Sequence, residues 1–153
     1  MIAITGLKDL EKFGKQAIHA SEKIESDVND VKKAVAGFVF LKVMQITSVD
    51  TSKAISNWKI RTPNDQSFER EAYFEGDQGS TRSQSFQAVM MNERPNLENA
   101  QPGKPIFISN NLDYVEDYLL KKNNLLTHAK KTGDYRAKEQ LTARLKTRGG
   151  YFK

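Results

Sequence analysis

Cysteine is absent from this 153-residue chain, which excludes disulfides, thiolate metal sites and cysteine nucleophiles at once. Histidine is scarce. His19 and His128 are the only two, too few for a multi-histidine metal site within one chain, so neither a metal nor a cofactor is expected. Long apolar runs are also missing: the longest uncharged one, Ala34–Leu41, is eight residues, against the roughly 20 that a membrane-spanning helix needs. No membrane partner is therefore expected. The first residues, Met1-Ile-Ala-Ile-Thr-Gly-Leu-Lys-Asp, have no basic stretch leading into an apolar one, so no signal peptide is read and synthesis in the cytoplasm is expected. What is present suits one folded domain, with 38% hydrophobic and 28% charged residues and a length that lets roughly 70% of the unfolded surface be buried.

Charge is unevenly distributed. Residues 1–60 carry a net +2, residues 61–120 a net −5 and residues 121–153 a net +8, within a total of +5. A basic terminal third beside an acidic middle can serve as a footprint for nucleic-acid phosphates. It can equally be half of a complementary pair in which the basic end of one copy meets the acidic middle of the next. A solvated helix face is the third reading.

Hydrophobic periodicity places most of the elements. Ile24, Val28, Val31, Val35 and Phe38 recur at spacings of four and three, one stripe of a helix, with Glu25, Asp27, Asp30, Lys32 and Lys33 on its wet faces. Gly14 and the weak pattern before it predict a separate first helix, with Ser21-Glu22 as the start of the second. The run from Gly37 to Ile46 is read as the helix's continuation. Asp50 is expected to cap a short helix over about Thr51–Ser56, and Trp58-Lys-Ile-Arg to form a strand stopped by Pro63. A second strand is expected over Phe68–Glu75, then a turn at Gly76-Asp-Gln-Gly-Ser. Ser80 or Ser83 opens a helix to about Arg94, with Phe86, Val89 and Met90 on one side and Pro95 just beyond its end. Pro105–Ser109 reads as a strand, and Asn110-Asn111 as the cap of a helix carrying Leu112, Val115 and Leu119 up to about Lys122. A last helical region is expected to break at Gly133-Asp134, resume with Ala137, Leu141 and Leu145, and stop at Gly149-Gly150. The fold class is α+β: helices packed on a small β-sheet, led by a long N-terminal helix and followed by a basic helical C-terminal extension.

Catalytic constellations are not visible. There is no G-x-S-x-G elbow, no H-E-x-x-H and no phosphate loop, and an enzyme is not expected. Glu69, Glu71, Glu75 and Asp77 suit a hard cation by type, but they lack the spacing of a calcium loop and read as a solvated strand and turn. His19 and His128 read as ordinary helix residues, and Trp58 as a core anchor. The candidate assembly or DNA-facing residues are the cations Lys121, Lys122, Lys130, Lys131, Arg136, Lys138, Arg144, Lys146 and Arg148, interspersed with Tyr135 and Tyr151.

Two segments carry a family resemblance. Val49-Asp50-Thr51-Ser52-Lys53-Ala54-Ile55-Ser56-Asn57-Trp58 resembles the V-D-T-G-x-x-x-x-N-W signature of tailed-bacteriophage tail-completion or neck proteins, minor virion proteins that join head to tail. About 50 residues later, Ile106-Phe-Ile-Ser-Asn110-Asn111-Leu-Asp-Tyr114-Val is similar to that family's strand followed by N-N-x-x-Y. A long helix before the first motif fits as well. Two departures stand out: Ser52 replaces the usual glycine, and the chain continues into basic residues 121–153 instead of the family's S-x-Q-A-P loop.

The resemblance implies a tail-completion-like α+β domain over residues 1–120 with the extension over 121–153. It also implies a non-enzymatic role in the virion: a ring, sixfold by preference, at the head–tail junction as neck, tail-completion or tail-terminator protein. Its partners would be its own copies, the neighbouring head–tail connector and tail tube proteins, and DNA passing through the ring. The signature residues Val49, Asp50, Thr51, Asn57, Trp58, Asn110, Asn111 and Tyr114 would build the scaffold, with Asp50 and Thr51 fixing the turn after the long helix. A rival reading is a small nucleic-acid-binding protein using the basic C-terminal region.

Overall fold

A computed structural model describes residues 7–48, 50–61, 63, 68–115, 117 and 124–147. The element order is α1 (Leu7–Ile46), α2 (Lys53–Ser56), β1 (Lys59–Arg61), α3 (Arg82–Glu98), β2 (Phe107–Ser109), α4 (Asp113–Val115) and α5 (Leu125–Thr147). This is the expected α+β class, dominated by helix, with a two-stranded antiparallel sheet.

α1 is one 40-residue helix, where the sequence predicted two. A glycine in a helix interior costs about 1 kcal/mol, which weakens the helix at Gly14 without stopping it. The helix ends where the Thr47 backbone N–H and hydroxyl both donate to the Val43 carbonyl, at 3.0 and 2.7 Å. Arg82 also donates to the carbonyls of Met44 and Gln45. The deepest part of α1 is its last third, with Phe40, Val43 and Met44 nearly solvent-free. The predicted stripe from Ile24 to Phe38 lies alongside α5, with Val35 near Gly133 and Phe38 under Arg136; Val31 on it is buried, while Val28 is 55% exposed.

Phe40, Met44, Ile55, Trp58, Ile60, Val89, Leu112, Val115 and Leu125 make one core. The basic C-terminal segment thus contributes Leu125 to the same core as the residues before it. β1 pairs with β2 in the register Lys59↔Ser109, Ile60↔Ile108 and Arg61↔Phe107. This pairing joins segments almost 50 residues apart in the chain.

Four other expectations are corrected. Residues 68–75 are not a strand. Side chains take the place of a ladder there: Asn57 bonds both the N–H and the carbonyl of Arg70, and Ser56 Oγ accepts from the Tyr73 N–H. α3 runs through Pro95 to Glu98; the proline lies in the last turn, where losing one ladder bond costs least. α5 continues through Gly133. A Cβ there would touch Val39 Cγ2 at 3.4 Å, so the glycine sits at the close approach of α5 to α1. β2 begins at Phe107 instead of Pro105. Of the helix expected over Leu112–Lys122, α4 covers Asp113–Val115, and most of its remainder lies outside the described residues.

Candidate functional site

The two segments of the signature meet around α2. Trp58 is 4% exposed, and its indole Nε1 donates to Thr47 Oγ1 at 2.8 Å. The ring thereby ties the start of β1 to the end of α1. Asn57 donates to the carbonyls of Lys53 (2.9 Å) and Arg70 (2.7 Å), and its Oδ1 accepts from the Arg70 N–H at 2.8 Å. Both amide N–H groups and the amide oxygen thus have partners, as a buried amide requires. Asn110 reaches across from the second segment. It donates to the Ala54 carbonyl at 2.7 Å and accepts from the Leu112 N–H at 3.3 Å. Asn111 is exposed and does not share the predicted capping role.

Asp50 does not cap α2. Its carboxylate accepts from the Gln78 N–H at 3.0 Å, and its carbonyl from the Gly79 N–H at 2.8 Å. Gln78 and Gly79 both have positive φ, 51° and 74°, so Asp50 holds a left-handed turn. Thr51 is exposed, and Val49 lies outside the described residues. Ser52 precedes α2 with φ 63° and makes no side-chain cap bond. A left-handed conformation suits glycine, the residue that the resemblance names at this position. Ser52 is nevertheless buried, and its hydroxyl lies 2.8 Å from Thr81 Oγ1. Since Thr81 Oγ1 donates to the Phe74 carbonyl, Ser52 is the donor of that pair.

Lys53 bridges Glu69 at 2.6 Å and Glu71 at 3.7 Å. The hydrogen bond to Glu69, chiefly, holds the Lys53 ammonium above the usual lysine range against a smaller opposing effect of desolvation. Two of the four acids considered for a cation are therefore met by a lysine. Tyr114 is half-exposed beside this cluster, and burial raises its hydroxyl pKa. Among the described residues no group of three or more His, Cys, Asp or Glu side chains can hold a metal ion, and no helix is long and apolar enough to cross a membrane.

A second polar centre escaped the sequence reading. Glu93 on α3 is 4% exposed. It accepts from Arg70 at 2.9 Å, from the Ile60 N–H at 2.8 Å and from Asn96 at 3.1 Å. Its position four residues after Val89 and four before Leu97 was the available signal: a carboxylate on the apolar stripe. Beside it, burial pushes the Lys59 ammonium below the usual lysine range, with Arg70 and Arg61 adding to the effect and Glu93 opposing it. Lys59 donates to the Phe68 carbonyl and lies over the Phe68 ring.

The basic residues of α5 divide into two groups. Arg144 turns inward to Asp27 at 3.0 Å and Asp30 at 3.4 Å. Arg136 pairs with Glu139 at 2.6 Å and stacks over Phe38, 4.3 Å from its centroid. These two arginines fasten α5 to α1. Lys130, Lys131, Lys138 and Lys146 are exposed, as is Tyr135. Lys121, Lys122 and Arg148 lie outside the described residues.

Comparison with models of protein families, with curated protein sequences and with solved structures yields no match.

Proposed function

We propose that this chain is a structural protein of a tailed-bacteriophage virion, without enzymatic activity, that forms a ring at the head–tail junction as a neck, tail-completion or tail-terminator protein. One observation carries the reading. The two segments that resemble the family's signature come together, with Asn110 bonded to the Ala54 carbonyl at 2.7 Å and β1 paired to β2. Residues that build one junction account for a motif split by about 50 residues of chain, and leave the outer surfaces for partners. These would be its own copies, sixfold by preference, the adjoining connector and tail tube proteins, and DNA in the lumen.

The distribution of charge supports head-to-tail assembly. Asp50, Glu75 and Asp77 are exposed near the end of α1. The exposed lysines lie along α5, whose last turns reach Asp27, roughly 30 Å away along α1 at 1.5 Å per residue. Opposite charges at separated places favour heterologous contacts, which close into rings when the rotation allows. The test is to identify the chain by mass spectrometry in purified particles and to image the isolated protein by negative stain. Rings of uniform diameter and presence in the particle are expected; absence from finished particles overturns the virion role.

The nucleic-acid-binding alternative is favoured by Tyr135, exposed between Lys131 and Lys138. Removing residues 121–153 would not separate the two readings, because it would also remove Leu125 from the core. Lys131→Glu with Lys138→Glu does separate them: DNA affinity lost with assembly intact supports the alternative.

A further inference from the structure

Where α1, α5 and β2 meet, packing leaves an open groove of about 450 Å³. Val31, Val35 and Val39 line it from α1, Ile106 and Ile108 from the β2 side, and Leu141 from α5. The one polar residue along it is Lys32, whose ammonium is turned to the carbonyls of Gln101 and Lys104. Leu141 is 46% exposed, so an apolar side chain from outside would find apolar walls on three sides.

The border of the groove carries positive charge. Lys104, two residues before Ile106, and Lys138, next to Ala137 on the α5 wall, are exposed and form no ion pair among the described residues. Asp27 and Asp30 on the α1 side are held by Arg144, and Asp134, one turn before Lys138, offsets the lysines in part. Such a border suits an apolar anchor with carboxylates beside it.

The chain presents a group of that kind elsewhere on its surface. Phe74 is 47% exposed, and the exposed Glu75 and Asp77 after it make no ion pair among the described residues. Its backbone is fixed: the carbonyl accepts from Thr81 Oγ1 at 2.8 Å and Ser85 Oγ at 3.4 Å, and Asp50 holds the following turn through Gln78 and Gly79. A ring carried on fixed backbone loses little freedom on docking. Phe68 is less suited, since Lys59 lies over its ring and Lys53 engages Glu69 and Glu71. Tyr114 would bring a hydroxyl into an apolar groove.

Phe74 does not reach the groove of its own chain. Arg82, just after the turn, bonds the Met44 and Gln45 carbonyls, so the turn sits at the end of α1. The groove centres on Val35, about 15 Å back along the helix at about 1.5 Å per residue. An anchor and a groove at separate places on one chain make a heterologous contact between copies.

We propose that Phe74 of one copy seats in the α1–α5–β2 groove of the next, with Glu75 and Asp77 set against Lys104 and Lys138. The inference rests on the ring reading in taking the occupant to be another copy, and it names the surfaces that meet.

The chain's lack of cysteine makes cross-linking direct. Phe74→Cys is mixed with a tag-lengthened Leu141→Cys at low micromolar concentration, oxidised and run on a non-reducing gel. A parallel mixture uses Leu126→Cys, 63% exposed at the other end of α5. The 74–141 mixed dimer is expected in several-fold excess over the 74–126 one; equal yields, or no mixed dimer, overturn the proposal. Phe74→Ala should lower the particle mass in mass photometry while circular dichroism holds, and unchanged mass overturns the proposal. In the Phe74→Ala background a thiol reagent should label Leu141→Cys freely. Protection there means that the same chain covers the groove, which also overturns it. The ring reading fails separately. Closed rings without the 74–141 cross-link keep the ring and remove the contact, whereas the cross-link in open chains keeps the contact and removes the ring.

Discussion

Trp58 works at both ends of its side chain. The ring fills core space, and the indole N–H donates to a threonine hydroxyl that itself donates to the last turn of α1. Trp58→Ala is expected to cost about 3–5 kcal/mol through the cavity it leaves, visible as a large fall in melting temperature. Trp58→Phe keeps most of the volume and loses one hydrogen bond, about 1 kcal/mol. A melting temperature unchanged in Trp58→Ala would refute the anchoring role. Lys59 offers a test by pH. Burial holds its folded pKa below the unfolded value, so between the two values the unfolded chain binds more protons and stability rises with pH. Below that window the buried ammonium keeps a constant penalty. Wild type should therefore gain stability relative to Lys59→Met as pH rises through the interval between the lowered folded value and the ordinary lysine value of about 10.4. Urea midpoints at several pH values check this, and a constant difference contradicts it.

At the scale of elements, the helices whose apolar residues recur at three and four were legible, because that spacing is a local property of the chain. Their ends and joins were less so. Gly14, Gly133 and Pro95 are local signals for breaks, yet the helices run through all three. At Gly133 the reason is tertiary: the residue faces Val39, and packing against α1 outweighs helix propensity. Gly133→Leu should wedge the two helices apart and cost about 1–3 kcal/mol by chemical denaturation. Gly133→Ala, whose methyl just reaches Val39, should be close to neutral. The strand expected over 68–75 failed for a similar reason, since Asn57 and Ser56 satisfy its backbone in place of a neighbouring strand. Within the candidate site, Asn57, Trp58 and Asn110 could be picked from the sequence as scaffold residues. The partner of Asp50, 28 residues away, could not, and neither could the inward turn of Arg144 onto Asp27, 117 residues away.

Across the whole molecule the charge pattern seen in the sequence acquires a direction. Two of the C-terminal arginines are engaged with α1 or its neighbours on α5, leaving the exposed lysines to face outward along α5 and the acids of the 75–77 turn near the other end of the core. Exposed charges of this kind are screened over about 8 Å at physiological ionic strength. Assembly through them should weaken with added salt, and Lys131→Glu with Lys138→Glu should lower the sedimentation coefficient at low salt. A coefficient indifferent to both would remove the electrostatic part of the ring contact. The central claim, that the chain exists to assemble, is met most directly by mass photometry of the purified protein across a concentration series. A discrete multiple of the protomer mass, constant over that series, is the predicted result. A single protomer mass at every concentration would contradict it.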